Sequence, residues 1–321
     1  MTKPQQRVLA LAGGVGGAKL AAGLAALLGE RLTVLVNTGD DFEHLGLHIS
    51  PDLDTVVYTL AGIANPATGW GLAGETWIFM EQIERLGGPT WFRLGDRDLA
   101  THVVRTERLR HGDTLTAITA DLCRAFNVRP TVLPMTDDCV RTIVHSGDQT
   151  IAFQDYFVRQ QCAPVVSGIS FKGAASARIN PHLDDLEHGD APLVIILCPS
   201  NPWLSIDPIL AVPDMRSRLK AFGAPIVAVS PIVGGRAIKG PSAKIMRELG
   251  LQPSAAAVAR HYAGLVDGFI IDHLDAASGD DIAAPGIAVH TAPTVMRTTE
   301  DRVALARECL TFADGLADRT S

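Results

Sequence analysis

Val8-Leu-Ala-Leu-Ala-Gly13-Gly-Val-Gly-Gly17-Ala-Lys19-Leu20 begins as an apolar run, breaks into four glycines and continues into a segment rich in alanine and leucine. This order predicts a strand, a loop and a helix. Glycines let the backbone approach a phosphate closely or take positive φ, and the start of a helix offers free N–H groups to an anion. The stretch therefore predicts a phosphate-binding loop, while a glycine turn that only packs strand against helix would give the same pattern.

The loop departs from two standard nucleotide-binding motifs. The G-x-G-x-x-G fingerprint would need glycine at Lys19, and a Walker A loop would need Gly-Lys-Ser/Thr where Ala18-Lys19-Leu20 stands. Neither NAD nor ATP follows from the loop. A nicotinamide dehydrogenase is disfavoured because the third glycine of its fingerprint serves close helix packing.

A second apolar run, Leu32-Thr-Val-Leu-Val36, follows the predicted helix and completes a βαβ unit. Such a unit requires a parallel sheet, with ligands at the carboxyl ends of its strands. Asn37-Thr-Gly-Asp-Asp41 stands at that end. Its small polar and acidic side chains suit a ribose or phosphate pocket, and an ordinary polar turn fits the same residues.

Two further segments carry charge at predicted helix starts. In Ser50-Pro-Asp-Leu-Asp54, both carboxylates complement a helix N-terminus, and they could also hold a divalent cation. On these residues alone, stabilisation of the helix N-terminus is favoured over a cation site, because acidic residues are common in the first turn of a helix. In Arg93-Leu-Gly-Asp-Arg-Asp98, the arginines suit anions or carboxylates, and a salt-bridged helix start is the alternative.

The second half of the chain divides into an insertion and a return to parallel strands. Residues 140–185 alternate like antiparallel strands and predict a lid or wall over the sheet. Leu193–Cys198 and Pro225–Val229 then predict two buried parallel strands, each followed by a polar loop that suits a second half-site for one ligand. The predicted division is a Rossmann-like N-terminal part (1–139), the inserted subdomain (140–185) and a C-terminal part (186–321) that completes the first.

Composition bounds the class of protein. A chain of 321 residues with 47% hydrophobic residues can bury a large core. The net charge of -7 disfavours general nucleic-acid or anionic-membrane binding, which needs a cationic face. The five cysteines are scattered without a C-x-x-C pair, and no apolar run is long enough for a membrane span. A cytoplasmic α/β protein is predicted, with a Rossmann-like parallel sheet, helices on both faces and a smaller, partly antiparallel subdomain.

Taken together, six segments resemble the 2-phospho-L-lactate transferase family of coenzyme F420 biosynthesis, over about residues 7–315. They are Gly13-Gly-Val-Gly-Gly-Ala-Lys19-Leu, Asn37-Thr-Gly-Asp-Asp41, Ser50-Pro-Asp-Leu-Asp54-Thr, Arg93-Leu-Gly-Asp-Arg-Asp98-Leu-Ala-Thr-His102, Pro199-Ser-Asn-Pro202 and Ser230-Pro-Ile232. Nucleotide-sugar-binding regulators of the gluconeogenesis-factor type share the glycine loop and the region after the second strand. The Arg-Leu-Gly-Asp-Arg-Asp segment favours the transferase.

The resemblance implies a metal-dependent enzyme with Mg²⁺ as its cofactor. It implies transfer of a phospho-three-carbon-acid group from a GDP-linked donor to the ribityl hydroxyl of 7,8-didemethyl-8-hydroxy-5-deazariboflavin, with release of GMP, and it suggests a homodimer. The acid stays open between 2-phospho-L-lactate, phosphoenolpyruvate and 3-phosphoglycerate, because a pocket distinguishes them through few contacts. A regulator that binds nucleotide sugars without turnover is the alternative function.

The resemblance implies roles for Asp54 and Arg93, and the expected reaction and the loop pattern suggest the other residue roles. Asp54 and Arg93 correspond to deazaflavin-binding positions and are the catalytic candidates, with Arg97 as a further acceptor contact. Asp52 and Asp54 are the candidate metal ligands. The expected nucleotide-binding residues are Gly13, Gly14, Gly16, Gly17, Lys19, Asn37, Thr38, Asp40, Ser200, Asn201, Ser230 and Lys244.

Overall fold

The structure is a computed structural model that describes residues 6–187, 191–283 and 286–320. Its strands are, in chain order, β1 (Arg7–Ala12), β2 (Leu32–Val36), β3 (Phe42–His44), β4 (Leu47–Ile49), β5 (Thr131–Pro134), β6 (Arg141–Ser146), β7 (Gln149–Ala152), β8 (Gly168–Lys172), β9 (Leu193–Leu197), β10 (Ile226–Val229), β11 (Ile232–Val233), β12 (Arg236–Ala237), β13 (Gly268–Ile271) and β14 (Ala288–Thr291).

The α-helices of the described residues lie between and after these strands, singly or several in a row. They are α1 (Gly14–Leu28), α2 (Pro51–Leu60), α3 (Ile78–Arg85), α4 (Asp96–Arg110), α5 (Leu115–Ala125), α6 (Asp207–Leu210), α7 (Met215–Ala221), α8 (Ser242–Glu248), α9 (Ala255–His261), α10 (Gly279–Ala283) and α11 (Thr299–Thr320). None of the helices described has the length and apolar character needed to cross a membrane.

Seven of these strands form one parallel sheet in the order β14-β13-β10-β9-β1-β2-β5. From β1 the chain builds outward through β2 and β5, then returns to β9 and builds outward on the other side. The order therefore reverses between β1 and β9, the point at which sheets of this kind bind ligands. Val8 pairs with both Leu32 and Val194, so the loops that leave β1, β2 and β9 share one edge.

Helices cover both faces of this sheet because its strands are apolar on both sides. Along β1, Leu9 and Leu11 join a core cluster that includes residues of α6, α7 and α9. Val8, Ala10 and Ala12 join the opposite cluster, which includes residues of α1, α2, α5 and α11. The predicted three-layer α/β fold is confirmed.

The insertion begins at β6 and contains the antiparallel sheet β7-β6-β8. Its own small core includes Val144 and Tyr156 and also reaches Leu204 and Ile245 of the following part. The antiparallel character of this segment is confirmed. The division at residues 139/140 and 185/186 stays a prediction, and residues 1–5, 188–190, 284–285 and 321 of its first and third parts lie outside the described residues.

Candidate active site

The glycine loop after β1 is packed tightly against two neighbouring loops. At Gly13, an added Cβ would lie 2.5 Å from Asp52 Oδ2 and 2.7 Å from Ser205 Cβ. At Gly16, it would press on the backbone carbonyl of Pro199. Close packing thus accounts for these two glycines without any ligand.

Gly13→Ala should therefore destabilise the protein. Gly13 has an extended backbone, with a φ of -158° that any residue adopts, so the cost comes from crowding alone. We expect the free energy of unfolding to fall by about 1 to 3 kcal/mol, the usual cost of overpacking, measured by urea denaturation. Gly315→Ala in α11 is the matched control, because an added Cβ there meets no atom within 4 Å. A Gly13→Ala protein as stable as this control would contradict the packing argument.

Gly14 differs from its neighbours in the loop. It takes a φ of +62°, and an added Cβ at Gly14 would find no atom within 4 Å. Its backbone N–H, the first of α1, donates to Asp52 Oδ1 at 2.8 Å. The helix therefore begins beside open space, with one carboxylate already on its first N–H group.

Ser200 joins the glycine loop to the loop after β9. Its hydroxyl accepts from the Gly13 N–H at 3.2 Å and donates to the Gly13 carbonyl at 2.9 Å. An added Cβ on Gly17 would lie 2.5 Å from the same hydroxyl oxygen. The two loops at the switch point are thus held together through buried polar contacts.

Asn37 organises the loop after β2 from a fully buried position. Its amide nitrogen donates to Asp52 Oδ2 at 3.0 Å and to the Leu204 carbonyl at 3.2 Å. Its amide oxygen accepts from the Gly39 N–H at 2.8 Å. The side chain thereby fixes Asp52 between the glycine loop and the loop after β2.

Three buried carboxylates lie close together at this edge of the sheet: Asp40, Asp41 and Asp52. Burial raises the pKa of Asp40 well above its usual value, and repulsion from Asp52 adds to the shift. Burial also raises the pKa of Asp52 to about 6, although its hydrogen bonds from Asn37 and Gly14 act in the opposite direction. Ionisation of Asp40 and Asp52 is therefore opposed by their burial and, for Asp40, by the neighbouring carboxylates.

Several polar atoms around these carboxylates have no partner. Thr38 Oγ1, Asp40 Oδ1 and Asp41 Oδ1 are buried and make no hydrogen bond within the part of the chain that the structure describes. The other oxygen of Asp41 accepts from Ser50 Oγ at 2.8 Å and lies 3.1 Å from His48 Nε2. Free carboxylate and hydroxyl oxygens are the ligands that Mg²⁺ prefers.

The insertion forms a wall beside this cluster. The Thr142 N–H donates to the Gly39 carbonyl at 2.7 Å, and the Gln154 amide donates to the Asp40 carbonyl at 3.1 Å. Both contacts join the start and middle of the insertion to the loop after β2.

Asp54 faces away from Asp52, because residues two apart on a helix do not share a face. It forms a two-pronged ion pair with Arg105 of α4, in which each guanidinium NH group donates to a different carboxylate oxygen. Arg105 is only 1% exposed and Asp54 6%. Burial alone would lower the pKa of Arg105, but the Asp54 carboxylate outweighs it and holds that pKa above its usual value.

His102 connects this pair to a second carboxylate. Its Nδ1 lies 3.7 Å from Asp54 Oδ2, and its Nε2 lies 3.4 Å from Asp98 Oδ2. Asp98 also accepts from the Tyr58 hydroxyl at 2.6 Å. Burial would raise the pKa of Asp98, but the contact with His102 and the Tyr58 hydroxyl outweigh it, so that pKa lies below its usual value.

Ligand atoms of Asp54, Asp98 and His102 all lie within 4.8 Å of one another, close enough for one metal ion. The geometry fits ion pairing better, because the two ring nitrogens of His102 face different carboxylates and Arg105 already occupies Asp54. The oxygens without partners at Asp40 and Asp41 are the better candidates for a cation.

The two arginines of the charged segment lie at the surface before and at the start of α4. The Arg93 guanidinium stacks over the Trp77 ring, 4.6 Å from its centre. Arg97 donates to the Ala73 carbonyl at 2.9 Å. The structure thus places Arg93 and Arg97 on the segment that leads into α4, the helix that holds Asp54 through Arg105.

The remaining predicted nucleotide-binding side chains are mostly engaged within the protein. Lys19 donates to the Met296 carbonyl at 2.8 Å, Lys244 to the Pro164 carbonyl at 2.9 Å, and Ser230 to the Ile232 carbonyl at 2.8 Å. Lys244 also pairs with Glu248.

Asn201 is the exception among them. Its amide oxygen accepts from the Trp203 and Leu204 N–H groups, while its amide nitrogen is buried without a partner in the described residues. A free donor therefore remains at the start of the loop after β9.

Arg105 was not among the functional residues expected from the sequence, and Asp41 was expected only as part of the acidic loop after β2. The signal for Arg105 lies in the spacing of Asp98, His102 and Arg105, which puts all three on one face of a helix. Asp41 gave no distinguishing signal, since only its neighbours in space separate it from a polar turn.

Comparison with known proteins decides the family. The profile of the family described as 2-phospho-L-lactate transferase CofD matches residues 8–284. The chain belongs to the CofD family. The sequence is similar to a phosphoenolpyruvate transferase of Streptomyces griseus, at 41% identity over 96% of this chain and 98% of that protein. A phosphoenolpyruvate transferase of Thermobifida fusca is 39% identical over 98% of this chain and 100% of its own length.

Membership in the CofD family makes the chain a transferase that works on a phosphoryl-linked group in coenzyme F420 biosynthesis. The fold agrees with a solved structure of protein BH3568 from Bacillus halodurans, with a TM-score of 0.61 and 14% identity over 95% of this chain and 99% of that one. A second structure of BH3568, described as a member of the UPF0052 family, superposes with a TM-score of 0.62. At this identity, the likeness concerns the fold alone.

Proposed function

We propose that the protein transfers a phosphoenolpyruvyl group from a GDP-linked donor to the ribityl hydroxyl of 7,8-didemethyl-8-hydroxy-5-deazariboflavin and releases GMP. The observation that carries the proposal is the meeting of two features at the switch point. The start of α1 borders open space at Gly14 and is bonded to Asp52, and Asp52 in turn lies close enough to Asp40, a buried carboxyl with a free oxygen, to interact with it electrostatically. A diphosphate and a cation need these two environments side by side.

The choice of acid rests on the relatives. Curated proteins about 40% identical to this chain over 96% of its length are named phosphoenolpyruvate transferases. Phospholactate and 3-phosphoglycerate donors are therefore the competing substrates that a test has to include.

The donor would bind across the loops that leave β1, β2 and β9. Its diphosphate would lie at the start of α1, near Gly14 and the free amide nitrogen of Asn201. Asn37, Ser200 and Gly13 support this site from beneath, because their polar groups are committed to one another or to neighbouring backbone. Lys19, Ser230 and Lys244 stay nucleotide-binding proposals that would require release of their present partners.

The cation site fits Mg²⁺ at Asp40 and Asp41, with Thr38 as a neutral neighbour and Asp52 as a further carboxylate. This differs from the expected ligand pair of Asp52 and Asp54, whose carboxylates have separate partners. When bound, Mg²⁺ would offset the negative charge of the diphosphate and of the transferred phosphoryl group.

The acceptor would bind on the side of Asp54 and Arg93. In the reaction, the ribityl oxygen would form a bond to the phosphorus that carries the acid, the bond from that phosphorus to the bridging oxygen of GMP would break, and the proton of the ribityl hydroxyl would pass to solvent. Asp54, whose two oxygens are held by Arg105, would accept a hydrogen bond from the attacking hydroxyl and orient it. Arg93 and Arg97 supply positive charge to the acceptor or to the transferred group.

The assay that tests the proposal follows GMP release with each of the three donors, with and without the deazaflavin and with EDTA or Mg²⁺. We expect GMP only when donor, deazaflavin and Mg²⁺ are all present, with the highest kcat/KM for the enolpyruvyl donor. Mass spectrometry of the product separates enolpyruvyl from lactyl transfer, since the two differ by one hydrogen molecule. Binding of the donor without any product would instead favour the nucleotide-binding regulator.

A homodimer is the expected assembly, measurable by light scattering.

A further inference from the structure

We propose that Arg105 is a positioning residue of this enzyme, which holds Asp54 in place for the acceptor and sets its distance from the Arg93 segment. The inference rests on the proposed function, because it assigns Asp54 and Arg93 to the same acceptor. It concerns a residue that contacts neither the glycine loop nor the acidic cluster in the described hydrogen bonds.

The first argument is the geometry of the pair. Both NH groups of Arg105 are used on the two oxygens of Asp54, and NH1 also lies 3.4 Å from His102 Nδ1. A planar fork of this kind fixes the direction of a carboxylate, whereas a lysine ammonium attaches at a single point. Asp54 can therefore turn little about its side-chain bonds while Arg105 is in place.

The second argument is energetic. Taking an arginine to 1% exposure removes most of its favourable hydration, and a buried ion pair often only compensates this cost. An apolar pair of similar volume would hold α2 against α4 as well or better. Stability alone therefore gives little reason for an arginine in this place.

The third argument is the layout of the two helices. Asp54 and Tyr58 share one face of α2, while Asp98, His102 and Arg105 share one face of α4. These two faces meet in a polar seam that joins the helices. Because α4 begins three residues after Arg93, the seam also sets where the Arg93 segment stands relative to Asp54.

Arg105→Lys tests the inference, with Arg108→Lys as the matched control. Arg108 lies on the same helix and is likewise ion-paired, with the carboxylates of Asp113 and Asp121. We expect Arg105→Lys to lower kcat/KM for the acceptor by about 10- to 100-fold, the effect of a small misplacement. The donor KM and the melting temperature should stay near those of Arg108→Lys, which should behave like wild type.

A second variant covers the case in which Arg105→Lys does not fold. Asp54→Asn/Arg105→Met removes both charges and leaves no unpaired buried ion. If Arg105 acts through Asp54, equilibrium dialysis of the deazaflavin acceptor should give the double variant the same weak affinity as Asp54→Asn alone. A double variant that bound the acceptor clearly more weakly than Asp54→Asn would overturn the inference.

Three outcomes separate a failure of this inference from a failure of the proposed function. Product formation by wild type together with an acceptor kcat/KM in Arg105→Lys equal to that of Arg108→Lys would overturn the positioning role alone. Equal losses of kcat/KM for the donor and for the acceptor, together with a lowered melting temperature, would overturn the positioning role as well. Such a result would indicate a purely structural role for Arg105. Wild type that formed no product with any donor would overturn the proposed function and the positioning role together.

Discussion

Asp54→Asn is expected to lower kcat/KM for the deazaflavin acceptor by about 10²-fold, the loss that follows when a reacting group is held out of position. An asparagine oxygen is a weaker acceptor for the attacking hydroxyl and cannot accept both prongs of the Arg105 fork. The donor KM should change little, because the contacts of Asp54 are on the α4 side and not on the glycine loop. Steady-state kinetics with each substrate varied in turn measures both constants.

The same substitution should also destabilise the fold. It leaves the Arg105 guanidinium buried without a countercharge, which costs about 3 to 5 kcal/mol in comparable cases. Rates therefore have to be divided by the folded fraction, measured by circular dichroism at the assay temperature. Asp113→Asn is the matched control, since it removes a carboxylate from an exposed arginine pair and should keep wild-type kinetics. An Asp54→Asn enzyme with full turnover would refute the assignment.

Asp40→Asn should stabilise the metal-free protein, whereas Asp54→Asn destabilises it. Both substitutions should lower the activity strongly. Asp40 is buried beside Asp52, and its raised pKa means that folding opposes its ionised form. Its neutral form adds stability that is present below the pKa of the unfolded chain and is lost as the pH rises through the folded pKa. Asparagine stays neutral, so the metal-free variant should exceed metal-free wild type in stability by about 1 to 2 kcal/mol at pH 8.

The advantage of Asp40→Asn should shrink as the pH falls, because wild-type Asp40 then takes up its proton. In Mg²⁺ the order should reverse, since wild type gains stability from the bound ion and the variant loses a ligand. Thermal melts at pH 5 and pH 8, each with EDTA or Mg²⁺, test these expectations, and GMP release should fall by at least about 10²-fold. A wild-type melting temperature that Mg²⁺ does not move would count against a cation at this cluster.

Much of the fold follows from patterns within short stretches of sequence. The apolar run before Gly13 and the alternation between β6 and β7 depend on residues a few positions apart, which interact in the same way in almost any context. The family also follows from motif order, since the glycine loop and the Arg93 segment each stand at the expected place in the chain.

The candidate site was predictable only in part. Asp52 and Asp54 could be singled out together, but the sequence does not reveal that one bonds to the glycine loop and the other to α4. Arg105 stands 51 residues from its partner, and their pairing depends on how α2 and α4 rotate as they pack on the sheet. Ser200 likewise meets Gly13 across 187 residues.

The sequence by itself determined the order of strands and helices, the glycine spacing at the start of α1 and the family to which the chain belongs. The tertiary structure alone decided which polar groups at the switch point have hydrogen-bond partners in the described residues and which do not. Asn37 and Ser200 form hydrogen bonds within the protein. Asp40, Asp41 and Asn201, by contrast, keep atoms without hydrogen-bond partners in the described residues. The reason is physical: local conformation depends on neighbours along the chain, while the pairing of buried polar atoms depends on neighbours in space.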